Sequence, residues 1–109
     1  MNIRPNPNVA RTEPGDFRAV VQEGELLVPG DLWNIIEKND VRRRTVAFLL
    51  AQVQVFPFVF AQELEWSLDD VKLARTRLVR QLKGSMPDEI LHPTPQPMSV
   101  KDLHGSRKK

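Results

Sequence analysis

The side chains closest to an acid–base pair are two sets of carboxylates, Glu63/Glu65 and Asp69/Asp70. General acid–base work needs carboxyl groups held in environments that pull their protonation apart. Each set is placed more simply on a helix surface or at a helix start, and no pocket is implied around either. His92 and His104 lie in a proline-rich stretch with Asp102 near the second, at a spacing that fits no zinc pattern. There is no cysteine, hence neither a disulfide framework nor a thiolate metal site. A Gly-rich phosphate loop is missing, and the serines and histidines have no evident third partner. The expectation is a protein without catalytic residues, metal or cofactor.

The second kind of chemistry available is charge. Lys72, Arg75, Thr76, Arg77 and Arg80 fall within one stretch, and Arg42, Arg43 and Arg44 form a triplet upstream. The first set belongs to a helix with clear signals at both ends. Ser67 suits the N-cap, with Asp70 three residues on, and Asp69 and Asp70 suit the positive end of the helix dipole. Val71, Ala74, Leu78 and Leu82 recur at steps of three and four and mark an apolar face, while Gly84 stops the helix. Before it, Phe60, Ala61 and Leu64 put apolar or small residues on one side of a shorter helix, with Trp66 and Ser67 in the turn.

This stretch, Phe60 to Gly84, resembles the DNA-binding helix-turn-helix superfamily, its winged-helix form included. Ala61 stands where a small residue lets the two helices approach, and Val71, ten residues on, where the second packs back on the first. Two positions depart from the pattern: Glu65 stands where glycine is usual, and Ala74 where a branched aliphatic is usual. The resemblance implies double-stranded DNA as partner. Lys72, Arg75, Thr76, Arg77 and Arg80 would then face it, Arg42–Arg44 would hold the backbone, and a homodimer is expected because one motif reads few bases. Asp69 and Asp70 would repel phosphates at the helix start, where base edges are met. The other reading open at this stage is a non-enzymatic protein-interaction module, which those acids and Glu65 suit better. An exposed apolar patch around Trp66, Leu73 and Val79 would favour it.

These residues need a scaffold. One hundred and nine residues fit one domain. The formal net charge is +2, divided as −3 over residues 1–40 (four basic, seven acidic) and +5 over 41–109 (twelve basic, seven acidic). Residues 1–15, with Pro5, Pro7 and Pro14, are expected to be a flexible tail, and their lack of an apolar run excludes a secretory signal and favours the cytoplasm. Residues 16–86 form the domain, and 87–109 a proline-rich basic tail, with one helical turn possible at Asp88–His92.

Within the domain, Phe17 to Val28 is favoured as a β-hairpin around Glu23-Gly24 over a short helix at 16–23. Leu32 to Lys38 reads as a helix with Asp31 at its N-cap and Trp33 in or over the core. Val41 to Val55 reads as the buried central helix, broken by Pro57 and too short to span a bilayer. Phe56, Phe58 and Phe60 are assigned to the core. Arg44 and its neighbours either contact phosphate or pair with Glu37 or Asp40. The fold class is mainly α: a compact three- to four-helix bundle with a helix-turn-helix-like unit, a possible small N-terminal hairpin and disordered ends.

Overall fold

Leu26, Leu27 and Val28 are buried together, so their strand has neighbours on both faces and both edges. In the computed structural model, which describes residues 1–39 and 44–91, this strand is β3 (Glu25–Val28). It lies between β1 (Asn2–Pro5) and β2 (Val20–Gln22) in a three-stranded mixed sheet ordered β1-β3-β2. The expected hairpin forms. β2 and β3 pair antiparallel, and the two residues joining them, Glu23 and Gly24, both have positive φ, at 54° and 77°. A two-residue type I′ turn demands this, and Gly24 meets it without a Cβ penalty.

The flexible tail expected for residues 1–15 gives way to a strand. β1 pairs parallel with β3, Ile3 opposite Leu26, and buries Ile3. Its outer edge is closed by the chain leading into the second helix: Ile3 N–H donates to the Arg44 carbonyl (2.8 Å), and Val46 N–H to the Met1 carbonyl (3.0 Å). Pro5 is tolerated because it ends an edge strand. Pro14-Gly15 then turns the chain, with Glu13 and Asp16 exchanging backbone hydrogen bonds. Gly15 has φ +84°, and a Cβ there would come within 3.1 Å of Leu73 Cδ2. Gly15→Ala is therefore expected to lower stability by about 1–2 kcal/mol in urea unfolding, from left-handed strain and crowding together.

Five helices follow: α1 (Gly30–Lys38), α2 (Val46–Val55), α3 (Pro57–Leu64), α4 (Leu68–Leu82) and the single turn α5 (Asp88–Leu91). Asp31 is not the N-cap of α1; Pro29 is. The Asp31 carboxylate instead accepts from Thr12 N–H, Thr12 Oγ1 and Leu32 N–H, at 2.7–3.1 Å, and so ties the N-terminal loop to the first turn. Thr45 Oγ1 caps α2 by accepting from Phe48 N–H. Pro57 opens α3, where its missing N–H costs nothing, and the two helices bend by 91°. Among the described residues, no single helix is long and apolar enough to cross a membrane. α5 is the turn expected at Asp88, and it buries Leu91.

The mainly α bundle is thus corrected to an α/β fold. The sheet and helices share one core, running from Ile3, Phe17 and Leu26 through Leu32 and Ile36 to Leu50, Val71 and Leu82. The hairpin reading underestimated the sheet because its third strand comes from a proline-bearing stretch with almost no β-formers, held by long-range pairing rather than local propensity.

Candidate interaction surface

α3 and α4 pack against each other across the turn at Glu65–Ser67. Phe60 and Ala61 are buried on α3, Val71 and Ala74 on α4, and Leu64 and Trp66 pack against the core. Ser67 Oγ accepts from Asp70 N–H at 3.1 Å, as its capping role requires. Glu65, in the position usually held by glycine, takes the left-handed conformation that glycine would (φ 60°, ψ 44°). Trp66 N–H returns to the Ala61 carbonyl at 2.9 Å, closing α3 in a Schellman pattern. Glu65→Gly is expected to raise stability by about 0.5–1 kcal/mol, seen as a higher thermal midpoint.

The basic residues of α4 do not share one face. Arg75 turns inward. Its Nε donates to the Leu50 carbonyl (3.1 Å), and its Nη2 to Gln54 Oε1 (3.2 Å) and the Leu91 carbonyl (3.3 Å), so one guanidinium fastens α4 to α2 and α5. Burial pushes it below the ordinary arginine pKa. Arg77 Nη1 donates to the Gly15 carbonyl at 3.2 Å, and Gln81 Nε2 to the Ala19 carbonyl at 2.9 Å, which docks the N-terminal segment on α4. Lys72, Thr76 and Arg80 form an exposed strip with Lys83 just beyond the helix, and Arg77 is exposed as well. Thr76 Oγ1 donates to the Lys72 carbonyl within the helix. Asp69 stands at the start of the same exposed side.

Arg44 is engaged by α1: its Nη1 lies 3.5 Å from Glu37 Oε2, and its guanidinium sits 4.9 Å over the Trp33 ring. Arg42 and Arg43 lie outside the described residues, as does most of the basic tail, including His92 and His104. Of the carboxylate pairs, Glu63 bonds Lys38 at 3.1 Å, Glu65 and Asp69 are exposed, and Asp70 donates its backbone N–H to the capping Ser67 Oγ. Among the described residues, no three His, Asp or Glu side chains converge as a metal site would require.

An apolar patch around Trp66, Leu73 and Val79 would favour the interaction module; of the three, Leu73 is 43% exposed, Val79 is buried and Trp66 is half-buried, stacked on Phe17 at 5.7 Å. Large apolar side chains are exposed on β2 (Val20, Val21), on α4 (Leu68, Leu73) and, in one sequence neighbourhood, at the α2–α3 bend. Val55, Phe56 and Phe58, the two aromatics having been assigned to the core, are 56, 43 and 57% exposed. The Phe56 and Phe58 rings meet edge to face at 6.2 Å. Beside them opens a cavity of about 190 Å³ lined by Ile35, Ile36, Asn39, Gln52, Phe56, Val59 and Phe60. That is below the roughly 300–1,000 Å³ of small-molecule sites, and suits one large apolar side chain better than a cofactor. From Thr45 to Gln62 the sequence holds no Asp, Glu, Lys or Arg.

An apolar run reads as core by periodicity alone, which is why this surface escapes sequence reasoning. The signal that could have found it is the proline: a right-angled bend places the residues around it on an outer corner. No family model, curated protein or solved structure matches the chain.

Proposed function

We propose that this chain is a non-enzymatic protein-interaction module whose working surface is the α2–α3 bend. One observation carries the reading: three large apolar side chains in immediate sequence neighbourhood are about half exposed, beside a small cavity lined mainly by apolar residues. Scattered exposed hydrophobics are ordinary, but a contiguous uncharged group of them marks a place where another surface is excluded from water. The helix-turn-helix-like unit then serves as scaffold. It fixes the bend and directs Phe60 inward and Phe58 outward.

DNA binding is the second reading, favoured by the left-handed Glu65 turn and by the strip of Lys72, Thr76 and Arg80. It is the weaker one on charge. Arg75 and Arg77 are held by backbone carbonyls of the fold, and Asp69, Asp70 and Glu65 gather at the end of α4 that would enter a groove. A cytoplasmic site of action accompanies either reading.

A photo-crosslinking residue placed at Phe58 tests the proposal in cells, with Thr76 as the control position on α4. Discrete protein adducts from Phe58 and none from Thr76 are expected. Nucleic-acid adducts from Thr76, with none of any kind from Phe58, would transfer the function to α4.

A further inference from the structure

We infer that the cleft between α2 and α4 is a binding site for a short-chain organic carboxylate. Val53, Gln54 and Pro57 line it on one side, and Lys72, Arg75 and Thr76 on the other, around a cavity of about 250 Å³. Two positive charges meet there. Neither has a carboxylate within ion-pair distance among the described residues; the described pairs are Arg4–Glu25, Arg18–Glu13, Lys38–Glu63 and Arg44–Glu37. The site does not depend on the bend being an interaction surface.

Arg75 is half-buried, and its three acceptors are all neutral: the Leu50 and Leu91 carbonyls and the Gln54 amide oxygen. These engage Nε and Nη2. Nη1 has no acceptor among the described residues. A cation drawn out of water is ordinarily matched by an anion, because neutral dipoles offset only part of the lost hydration. Lys72 stands three residues earlier on the same helix face, where two like charges repel. One carboxylate held between them supplies Nη1 with an acceptor and relieves the repulsion.

The rest of the lining sets the ligand's size and polarity. Val53 and Pro57 are apolar and suit a hydrocarbon stem, which inorganic phosphate lacks. The Thr76 hydroxyl already donates to the Lys72 carbonyl and requires no second polar group on the ligand. The volume lies under the roughly 300–1,000 Å³ of drug-sized sites and holds only a few heavy atoms. A larger cleft of about 500 Å³, lined by Arg11, Asp31, Asn34 and Glu63 among others, makes no such demand. It carries both signs of charge, Glu63 is paired with Lys38, and the Asp31 carboxylate is taken by Thr12 and Leu32.

The test is a titration of the full chain with sodium butyrate at constant ionic strength, sodium chloride making up the balance. The backbone amides and the Arg75 Nε–H are followed by NMR. Shifts at Gln54, Lys72 and Arg75 that saturate in the millimolar range are expected. Acetate, shorter by two methylenes, should bind about tenfold more weakly. Lys72→Met should weaken butyrate binding about tenfold, through loss of one charge-assisted contact. Arg80→Met, on the same helix but outside the cleft, should leave it unchanged. Both side chains are exposed, so both variants should keep the wild-type thermal midpoint. Arg75 is left intact in this experiment because it also fastens α4 to α2 and α5.

Shifts that never saturate and are equal at Lys72, Arg80 and Lys83 would mean ion screening alone and overturn the inference. Butyrate binding unchanged in Lys72→Met would overturn it as well. Inorganic phosphate bound more tightly than butyrate would overturn the carboxylate assignment. Asp102 is the single acid after Leu91, whose carbonyl Arg75 holds. Binding that appears only in Asp102→Asn would mean that the chain fills its own cleft, and would overturn a ligand taken from solution.

Discussion

Phe17→Ala is expected to destabilise the protein by about 3–5 kcal/mol, the range for truncating a fully buried aromatic. Phe17 is 1% exposed, lies in the core cluster, and stacks on Trp66 with ring centroids 5.7 Å apart and planes 17° apart. It joins the N-terminal third of the chain to the turn between α3 and α4. A domain of this size has about 5–15 kcal/mol in total, so the variant should unfold at markedly lower urea concentration. Emission from Trp66 should shift to the red even before unfolding, because its stacked neighbour is gone. A loss below about 1 kcal/mol would mean that the N-terminal segment does not pack where it is placed here, since buried aromatic truncations do not cost so little.

Arg75→Met should cost about 2–3 kcal/mol, because hydrogen bonds from a charged donor contribute more than neutral ones and the carbonyls of Leu50 and Leu91 would lose their partner. Methionine retains the length of the side chain, so the loss reports the guanidinium rather than the packing. Arg75→Lys should recover only part of it, since one ammonium cannot reproduce the planar fork that spans α2 and α5. Urea unfolding of the three proteins measures both differences. Lys72→Met on the exposed strip should change stability by less than about 0.5 kcal/mol in the same assay. Equal effects at the two positions would contradict the inward placement of Arg75. The contrast matters for function as well: a side chain that holds three elements of the fold together is not free to follow a phosphate backbone.

The helices were legible where local chemistry decides them. The Ser67 cap, the period of Val71, Ala74, Leu78 and Leu82, and the Pro57 break all act within a few residues, and each is found where the sequence places it. Glu65 takes a left-handed backbone conformation, for which glycine is preferred. The strand at Asn2–Pro5 was not legible, because its partner lies 23 positions away, from Asn2 to Glu25, and its own residues carry little β-propensity. Side-chain direction was the other gap. Arg75, Arg77 and Arg80 share a charge and a helix, and only neighbours from α2, α5 and the N-terminal loop show that Arg75 turns inward and that Arg77, though exposed, bonds the Gly15 carbonyl. Phe56 and Phe58 likewise read as core by composition, whereas the bend turns them outward.

The central claim is that the α2–α3 bend, and not α4, is where this chain meets its partner. Amide chemical-shift mapping of the full chain tests it most directly, first with the protein captured at Phe58 and again with mixed-sequence duplex DNA added at low salt. Shifts that cluster at Gln52–Phe60 and Ile35–Asn39 on adding that protein, with Lys72–Lys83 unmoved by DNA, are the expected result. Salt-sensitive shifts along Lys72, Thr76 and Arg80 on adding DNA, with the bend silent in both titrations, would contradict it.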